Sequence, residues 1–360
     1  MKTELIPFAK ELLPKAGELL SQRHKYNRAS FPELPARFEE TSVATKAIET
    51  LFSQKSSSGY AAFRDGRMIA YLIGETTTQT WGRSGYVYLP GYALAEKESP
   101  AVIQDLYALL GDDWVKKGCF NHYLYISAAE AGVIEALFDL GFGKERVDAL
   151  MDLRGLEIPE VEEPADVTIR QAGKGDNAYL GSLSNVIFRA LAKAPYWHPT
   201  VPEDWGELYE GWSELADDKE WTIWLALETD KRSSPVDQRS SPVDQRSSPV
   251  DKRSSPMDEA LGTVGFRPEM EEDTQMLASP RTAYLSVAAT KPQARGRGIS
   301  AALTWHGLEQ ARKDGFEICY TNWISPNLLA SRFWFRFGFK DVAYRVAKKV
   351  SPMIAWAKDE

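Results

Sequence analysis

The chain has 360 residues and a formal net charge of −8, with 43% hydrophobic and 26% charged residues. This length and balance predict two globular domains, each able to bury its own core. The sequence has no basic tail and no cluster of lysine and arginine, whereas binding to a phosphate backbone needs concentrated positive charge. We therefore do not expect nucleic acid as a partner.

The cysteine content and the hydropathy of the chain indicate its compartment. Cys119 and Cys319 are the two cysteines. A pair so far apart in sequence predicts neither a disulfide framework nor a metal site, as in a reducing environment. The N-terminal segment lacks the apolar core of a signal peptide, and no run of about eighteen apolar residues is present to span a bilayer. We expect a cytoplasmic protein without a membrane partner.

The first half of the chain alternates predicted strands with predicted helices. Asp65-Gly66 joins two of the strands and is a hairpin turn signal. The helices are predicted to end at Gly118 and Gly141, because glycine accepts the left-handed conformation that closes a helix. The predicted strands, in chain order, are Tyr60–Arg64, Met68–Ile73, Tyr86–Ala95 and His122–Ile126.

A domain boundary is predicted in the acidic, proline-bearing stretch from Gly155 to Pro164. Such a composition is typical of a linker, and Val167–Arg170 then begins a new strand. We therefore predict a first domain at 1–154, a linker at 155–166 and a second domain at 167–360.

The second half repeats the alternation, and one of its hairpins carries a low-complexity insert. The sequence Ser-Ser-Pro-Val-Asp-Gln-Arg begins at Ser233 and recurs at Ser240 and, with Lys252 in place of Gln, at Ser247. Each copy has a proline and a single apolar residue, which excludes a coiled coil and predicts a disordered excursion over 233–258. The strands predicted before and after the insert are Trp221–Glu228, Leu261–Phe266, Ala283–Thr290 and Phe316–Tyr320.

An internal similarity links the two halves. Phe138–Phe142 has the sequence Phe-Asp-Leu-Gly-Phe, and Phe335–Phe339 has the sequence Phe-Arg-Phe-Gly-Phe. Each copy closes a predicted helix and follows the order strand, helix, strand, with the earlier helices ending at Gly118 and Gly315. A short match alone could arise by chance, but the shared order of elements favours a duplication.

The turn after Ala283–Thr290 combines glycine with positive charge at the start of a helix. It contains Arg295-Gly296-Arg297-Gly298 and leads into a helix that extends to about Lys313. Main-chain N–H groups converge there beside the positive end of the helix dipole, an arrangement that binds pyrophosphate. A Gly-x-Gly turn also occurs as a plain tight connection, and the sequence lacks the endings of a Walker A loop and of a dinucleotide fingerprint.

This turn resembles the acyl-CoA loop of the GNAT superfamily of acyltransferases. Arg295-x-x-Gly298-x-Ser300 is similar to the family's Arg/Gln-x-x-Gly-x-Gly/Ala, with Ser300 in place of Gly or Ala. Pro292 follows the strand as in the family's Val-x-Pro lead-in, with Thr290 in the Val position.

The resemblance continues downstream of the turn. Ser325-Pro326-Asn327 predicts a helix start with a good N-cap and a proline at the first helical position. Asn327-x-x-Ala330, followed by Phe333–Phe339, is similar to the family's Asn-x-x-Ala and Leu-Tyr-x-x-x-Gly-Phe signature. Linked motifs in this order cover most of the second half of the chain.

The resemblance implies a fold, an acyl donor and its contacts. The implied fold class is mixed α/β, with two tandem GNAT-like domains that are each a mostly antiparallel sheet flanked by helices. The implied acyl donor is acetyl-CoA, and no metal is expected. The residues that would contact the donor are Ala288, Ala289 and Thr290 along the pantetheine arm, Arg295, Gly296, Arg297, Gly298, Ile299, Ser300 and Ala301 at the pyrophosphate, and Asn327.

Two positions depart from the family's catalytic pattern. Trp334 stands where many members have the tyrosine that reprotonates the departing thiolate, and an indole has no titratable proton. Asn322 stands where some members have a carboxylate base. We consider Tyr320 and His198 as substitutes, although a core tyrosine and a surface-loop histidine are the plainer interpretations.

The first half lacks an equivalent loop. Leu94–Pro100 contains no glycine, and Pro100 removes an N–H donor. Glu96 and Glu98 place negative charge where a pyrophosphate would lie. We therefore expect a degenerate N-terminal copy and one acetyl-CoA site per chain.

The function that follows is transfer of an acyl group to a primary amine, by direct attack of the amine on the thioester. The acceptor would be a small molecule or a peptide, and a homodimer is compatible with the sequence. A non-catalytic acyl-CoA-binding or sensor protein stays open, favoured by Trp334 and Asn322. An aminoacyl-tRNA-dependent transferase also stays open, although the acidic balance disfavours it.

Overall fold

The structure is a computed structural model that describes residues 3–78, 82–198, 201–229 and 259–357. In chain order, the strands are β1 (Glu4–Pro7), β2 (Ser57–Arg64), β3 (Arg67–Thr77), β4 (Ser84–Val87), β5 (Tyr92–Leu94), β6 (Asn121–Ser127), β7 (Gly143–Asp152), β8 (Val167–Gln171), β9 (Thr222–Glu228), β10 (Ala260–Pro268), β11 (Thr282–Thr290), β12 (Ile318–Ile324) and β13 (Lys340–Lys349). The α-helices are α1 (Leu13–Ser30), α2 (Thr41–Phe52), α3 (Ala101–Lys116), α4 (Ala131–Asp139), α5 (Asn177–Leu183), α6 (Val186–Leu191), α7 (Trp205–Glu214), α8 (Ile299–Lys313), α9 (Leu328–Arg336) and α10 (Ile354–Ala357).

By its contacts the chain forms two compact units. Unit 1 comprises Met1–Arg154, Glu269–Tyr284 and Phe316–Glu360, and unit 2 comprises Gly155–Pro268 and Leu285–Gly315. Unit 1 thus includes the C-terminal segment that the sequence analysis assigns to the second repeat. The predicted domain limits, 1–154 and 167–360 with a linker at 155–166, stay a prediction.

The sheet of unit 1 is mostly antiparallel. β1, β2 and β3 form a meander, and β4 pairs with β6 in parallel. β13 lies between β6 and β7 and is antiparallel to both, while β7 is antiparallel to β12. The start of β11, Thr282–Tyr284, pairs with β12 in parallel. The last strand of each repeat therefore lies beside strands of the other repeat, which the sequence patterns did not indicate.

Glycines at the predicted turn and helix ends adopt the left-handed conformation. Asp65 and Gly66, between β2 and β3, have φ angles of 51° and 76°. Gly118 and Gly315, which follow α3 and α8, have φ angles of 77° and 92°. The hairpin and the glycine-terminated helices are therefore confirmed.

The strand predicted over Tyr86–Ala95 is wrong as a single element. A 3-10 segment at Leu89–Gly91 separates β4 from β5. Pro90 has no N–H for a strand ladder. Gly91 lies so close to β3 that an added Cβ would be 2.4 Å from the Ile73 carbonyl oxygen, so the chain must turn there without a side chain.

Unit 2 has a smaller sheet with its own core. β8, β9 and β10 pair in antiparallel fashion, and β11 follows β10 as the last strand of this unit. Ile223, Leu225 and Leu227 alternate along β9 and point inward, as a half-buried strand requires. They form the core of this unit with Leu180 and Leu183 of α5. The predicted fold class, mixed α/β with mostly antiparallel sheets flanked by helices, is confirmed.

Three further predictions have different outcomes. Cys119 and Cys319 are buried, and both thiols are free. Across the ranges that the structure describes, no helix is both long and apolar enough to cross a bilayer. The insert predicted at 233–258 lies outside the described residues.

Candidate functional site

The turn between β11 and α8 is built on two glycines in the left-handed conformation. Gly296 has a φ of 79°, and Gly298, the residue before the first helical residue of α8, has a φ of 81°. A Cβ added at either position would meet no heavy atom of the described chain within 4 Å. Glycine is therefore required by the backbone conformation, and the space beside the turn is open.

The turn leaves a run of main-chain N–H groups without protein acceptors. The first main-chain hydrogen bond of α8 runs from Ala302 N to Gly298 O, at 3.0 Å. Among the described residues, the N–H groups from Gly296 to Ala301 have no main-chain acceptor, because a helix leaves its first donors without intrahelical partners. Free N–H groups beside the positive end of a helix dipole are an arrangement that can bind an anion.

The two arginines of the turn are held in different ways. Arg295 is exposed, and its Nε donates to Thr290 O at 3.3 Å. Arg297 forms an ion pair with Asp166 at 2.9 Å. Arg295 makes no ion pair with any residue that the structure describes, so none of those residues neutralises its charge.

The two residues that differ from the family's loop pattern contact each other. Thr290 Oγ1 and Ser300 Oγ lie 2.7 Å apart, so one hydroxyl donates to the other. Thr304 Oγ1 in turn donates to Ser300 O at 2.8 Å. The valine and the small residue of the family pattern would both lack a hydroxyl, so the two departures compensate each other. The pair fastens the end of β11 to the first turn of α8.

The corresponding turn of the first repeat satisfies its donors locally. The N–H groups of Ala101, Val102 and Ile103 find acceptors on Ser99 and Pro100 at 2.9–3.3 Å. The run of donors seen before α8 therefore has no equivalent before α3. This difference supports the prediction of a degenerate first copy, which stays a prediction.

Asn327 is the N-cap of α9. Its Oδ1 accepts from Ala330 N at 3.3 Å, and the helix begins at Leu328. The prediction of a cap at Ser325 is therefore wrong by two residues, because the Asn side chain fills the same role closer to the helix. The Nδ2 of Asn327 is the part of this side chain that can donate to a ligand.

Trp334 on α9 is part of an aromatic group. Its indole is 5% exposed and makes edge contacts with Phe333 and Phe339, with ring centroids 4.9 and 5.6 Å apart. This packing gives Trp334 a role in the shape of α9 and its surroundings.

Tyr320 and Asn322 belong to a polar cluster on one face of the unit 1 sheet. Tyr320 Oη donates to Asp148 Oδ1 at 2.6 Å and accepts from Arg146 Nη2 at 2.7 Å. Asn322 Nδ2 donates to Tyr284 Oη at 2.7 Å. We call Arg146, Asp148, Tyr284, Tyr320 and Asn322 the Asp148 cluster.

Burial and neighbouring charges shift the pKa values of Tyr320 and Arg146 in the Asp148 cluster. Tyr320 is 3% exposed, and burial together with the Asp148 carboxylate raises its pKa well above the usual value. Burial disfavours the charge of Arg146, but the neighbouring carboxylate raises its pKa above the usual value. Tyr320 therefore stays a neutral phenol and Arg146 a cation at working pH.

Sequence reasoning missed Arg146 and Asp148. The available signal was the pattern Glu145-Arg146-Val147-Asp148-Ala149 in β7, where charged residues alternate with apolar ones. Alternation of this kind is also typical of any half-solvated strand, so nothing in the sequence distinguished a buried carboxylate from a surface one.

His198 lies in the loop that follows α6. Its ring stacks on Tyr196, with centroids 5.4 Å apart, and its main-chain N donates to Leu191 O at 2.9 Å. Within the described ranges, no group of three or more His, Cys, Asp or Glu residues could hold a metal ion. The predicted site residues fall in both units, with Ala288, Ala289, Thr290, Arg295 to Ala301 and His198 in unit 2, and Tyr320, Asn322, Asn327 and Trp334 in unit 1.

Comparison with protein families matches residues 195–339 to the Acetyltransferase (GNAT) family. Comparison with curated proteins gave no match. The family match spans the turn before α8 and both motifs of α9, which carry the resemblance found in the sequence.

Solved structures resemble almost the whole chain. A GCN5-related N-acetyltransferase from Sphaerobacter thermophilus has a TM-score of 0.56 and 15% identity, covering 96% of this chain and 95% of that chain. A GCN5-related glucosamine N-acetyltransferase region of a fungal multi-domain GH3 beta-N-acetylglucosaminidase has a TM-score of 0.51 and 13% identity, covering 96% of this chain and 38% of that chain. At such identities the likeness concerns the fold, and the chain has the GNAT fold.

Proposed function

We propose that this GNAT-fold chain is an acyltransferase that moves an acetyl group from acetyl-CoA to a primary amine. The observation that carries the proposal is the run of N–H groups from Gly296 to Ala301 without main-chain acceptors, at the N-terminus of α8. N–H groups without acceptors cost free energy unless water or an anion accepts hydrogen bonds from them. The match of residues 195–339 to the acetyltransferase family agrees with acyl transfer.

Residues of the second repeat would hold the acyl donor. The N–H run would bind the pyrophosphate, and Arg295 would meet a phosphate charge. The main chain of Ala288, Ala289 and Thr290 lies in the last strand of unit 2, where an extended pantetheine arm could pair as an added strand does.

The chemistry requires a neutral amine and a positioned thioester. The amine nitrogen forms a bond to the thioester carbon, the carbon–sulfur bond breaks, and the proton lost by nitrogen ends on the thiolate sulfur. A thiolate whose acid has a pKa of about 8.5 leaves readily without a protein acid. Trp334 in the place of the family's tyrosine is therefore compatible with turnover.

Calorimetric titration with acetyl-CoA, followed by acetylation assays on a panel of primary amines, tests the proposal. We expect one site per chain and acetylation of at least one amine. Two equivalent sites would contradict the assignment of binding to the second repeat. A chain that binds no acetyl-CoA is not an acyltransferase of this kind.

A non-catalytic acyl-CoA sensor is the second candidate, because Trp334 is packed among phenylalanines and Asn322 is not a carboxylate. A sensor would bind acetyl-CoA with the same stoichiometry and acetylate none of the amines. The amine panel therefore separates the two functions, whereas binding alone does not.

A further inference from the structure

The strand register of unit 1 shows a two-fold relation between the repeats. Counted from the Phe-x-x-Gly-Phe motifs, Arg146 corresponds to Ala343 and Asp148 corresponds to Arg345. In the antiparallel pair of β7 and β13, Ala343 lies opposite Asp148 and Arg345 lies opposite Arg146. The register is therefore the same when the two repeats are exchanged.

This relation places α4 and α9 on one face of the sheet. β6 beside β13 and β12 beside β7 are exchanged in the same way, with Ser127 opposite Ala343 and Ile324 opposite Arg146. An axis that exchanges two neighbouring antiparallel strands is normal to the sheet, so it leaves each element on the same face. α4 follows β6 and α9 follows β12, and all of these elements belong to unit 1.

The two helices expose equivalent positions. Each has nine residues and turns its inner side to the sheet, where Leu137 and Trp334 are the corresponding buried residues. The exposed positions share one side of each helix, as residues three and four apart do. They are Ala131, Gly132, Glu135, Phe138 and Asp139 in α4, and Leu328, Leu329, Arg332, Phe335 and Arg336 in α9.

The two exposed sides are opposite in charge. Glu135 and Asp139 of α4 correspond to Arg332 and Arg336 of α9. Within the part of the chain that the structure describes, none of these four side chains forms an ion pair or a hydrogen bond. All four charges are therefore available to another molecule.

Apolar side chains lie between the charges on both sides. Phe138 of α4 is 44% exposed, and Phe335 of α9 is 57% exposed. Leu328 and Leu329 extend the apolar surface of α9, and small residues take their places in α4. A contiguous apolar surface bordered by charge is typical of a protein–protein interface.

We propose that α4 of one copy of this chain binds α9 of a second copy, so that the chain forms a two-fold dimer through unit 1. The carboxylates of α4 face the arginines of α9 in the second copy, and Phe138 and Phe335 are buried between them. Because α4 and α9 lie on one face of the sheet, a copy turned over by a two-fold axis presents α9 to α4 and α4 to α9 at once. Two equal contacts then close the assembly as a dimer.

Charge-reversed variants test this contact. Glu135→Arg with Asp139→Arg makes both sides basic, and Arg332→Glu with Arg336→Glu makes both sides acidic. Sedimentation velocity of the wild type at rising concentration should show a species of twice the monomer mass, and each variant should associate about tenfold more weakly or less. An equimolar mixture of the two variants should recover the dimer, because an acidic side then meets a basic side in both contacts. This recovery also shows that both variants are folded.

Glu210→Arg with Glu214→Arg is the matched control on α7. These glutamates are exposed and lie four residues apart in one helix, as Glu135 and Asp139 do. The change in net charge is the same, so this variant should dimerise like the wild type. A loss as large as in the α4 variant would mean that net charge, and not the contact of α4 with α9, controls association.

Three results would overturn the proposal. The first is a wild-type chain that stays monomeric at every concentration, and the second is a dimer that neither reversed variant weakens. The third is a mixture of the two variants that stays monomeric although complementary sides are present. Growth beyond a dimer would contradict the two-fold arrangement, because it would mean that the copies join in an open chain. These measurements use neither acetyl-CoA nor an amine, so they leave the proposed acetyl transfer untouched.

Discussion

Gly298 combines a left-handed conformation with a place among open main-chain donors. Its φ is 81°, and the space where a Cβ would stand is open. Gly298→Glu would add a side chain and a negative charge there, which repels a pyrophosphate, and would strain the backbone by about 1–2 kcal/mol. We expect calorimetry to detect no binding of acetyl-CoA to this variant.

Gly315→Glu is the matched control for Gly298→Glu. Gly315 has a φ of 92°, likewise has no heavy atom within 4 Å of an added Cβ, and lies just beyond the other end of α8. The strain should be similar, but no donor run is blocked. If the Gly315 variant lost acetyl-CoA binding as well, backbone strain and not the anion site would explain the result.

The hydrogen bond between the hydroxyls of Thr290 and Ser300 predicts that substitutions of these two residues have coupled effects on stability. Their oxygens are 2.7 Å apart and half-buried, so removal of one hydroxyl leaves the other without its partner. Thr290→Val and Ser300→Ala should each lower the free energy of unfolding by about 0.5–1.5 kcal/mol, and the double variant by less than the sum. Urea unfolding of the wild type, the two single variants and the double variant measures this coupling. Additive losses would mean that the two hydroxyls do not support each other.

Local conformations that depend on neighbouring residues were predictable, and contacts that depend on strand pairing were not. Gly296, Gly298 and Asn327 lie in or beside turns, where the residue type directly limits the conformation. Asp148 lies opposite Asn322 and accepts from Tyr320, and both of these residues belong to another strand far along the chain. Nothing within β7 specifies these neighbours, so the sequence could not identify the cluster.

At the scale of elements, the pairing of β9 with β10 leads us to expect that the segment between the two strands can be deleted with little loss of stability. Leu227 lies opposite Ala260, and Glu228 N donates to Glu259 O at 2.9 Å, so the strands meet where the described residues resume. Deletion of Ser233–Pro256 should lower the melting temperature by less than about 3 °C, since a loop of this length contributes little closure entropy. Differential scanning calorimetry measures this, and binding of acetyl-CoA should be kept. A larger drop would show that the segment packs against the folded chain.

Predictions of elements were wrong where a local exception outweighed the general pattern. The apolar run from Tyr86 to Ala95 has the composition of a strand, but Pro90 and Gly91 turn the chain within it. The N-cap of α9 is Asn327 and not the predicted Ser325. Both side chains can cap a helix, and the residue at which the helix begins decides between them. Hydrophobic composition predicts the existence of a helix or strand more reliably than it predicts the residue at which that element begins.

At the scale of the whole molecule, the order of elements was predictable and their arrangement was not. The order strand, helix, strand, helix, strand occurs twice, as β11, α8, β12, α9 and β13 illustrate for the second copy. The placement of β13 between β6 and β7 depends on pairing between distant segments. Such pairing has no local signature, because the register of a strand is set by neighbours from elsewhere in the chain.

The stability of unit 1 should depend on two buried histidines. His24 and His122 are 2% and 1% exposed, and burial lowers the pKa of each to about 4. At His122 the neutral ring is fully used, since Nε2 lies 3.0 Å from Cys119 O and Nδ1 lies 2.7 Å from Tyr107 Oη. Cys119 O can only accept, so Nε2 carries the proton and Nδ1 accepts from the tyrosine.

The sign of the pH dependence follows from these lowered pKa values. In the unfolded chain the histidines take up protons near their ordinary pKa of 6.5, whereas in the folded chain they do so near a pKa of about 4. Their contribution is therefore fully present above pH 6.5 and is lost as the pH falls towards 4. Each histidine should remove up to about 1.4 kcal/mol of unfolding free energy per pH unit in that window.

Urea titrations at pH 7.5, 6 and 5 should reveal this loss, with Trp114, which contacts His122 at a centroid distance of 5.0 Å, as a fluorescence reporter. His122→Gln should be less stable at pH 7.5. Its unfolding free energy should also fall less steeply as the pH is lowered, by the contribution of about one proton, because glutamine does not titrate. An unchanged slope in that variant would show that His122 takes up its proton in the folded chain as readily as in the unfolded one.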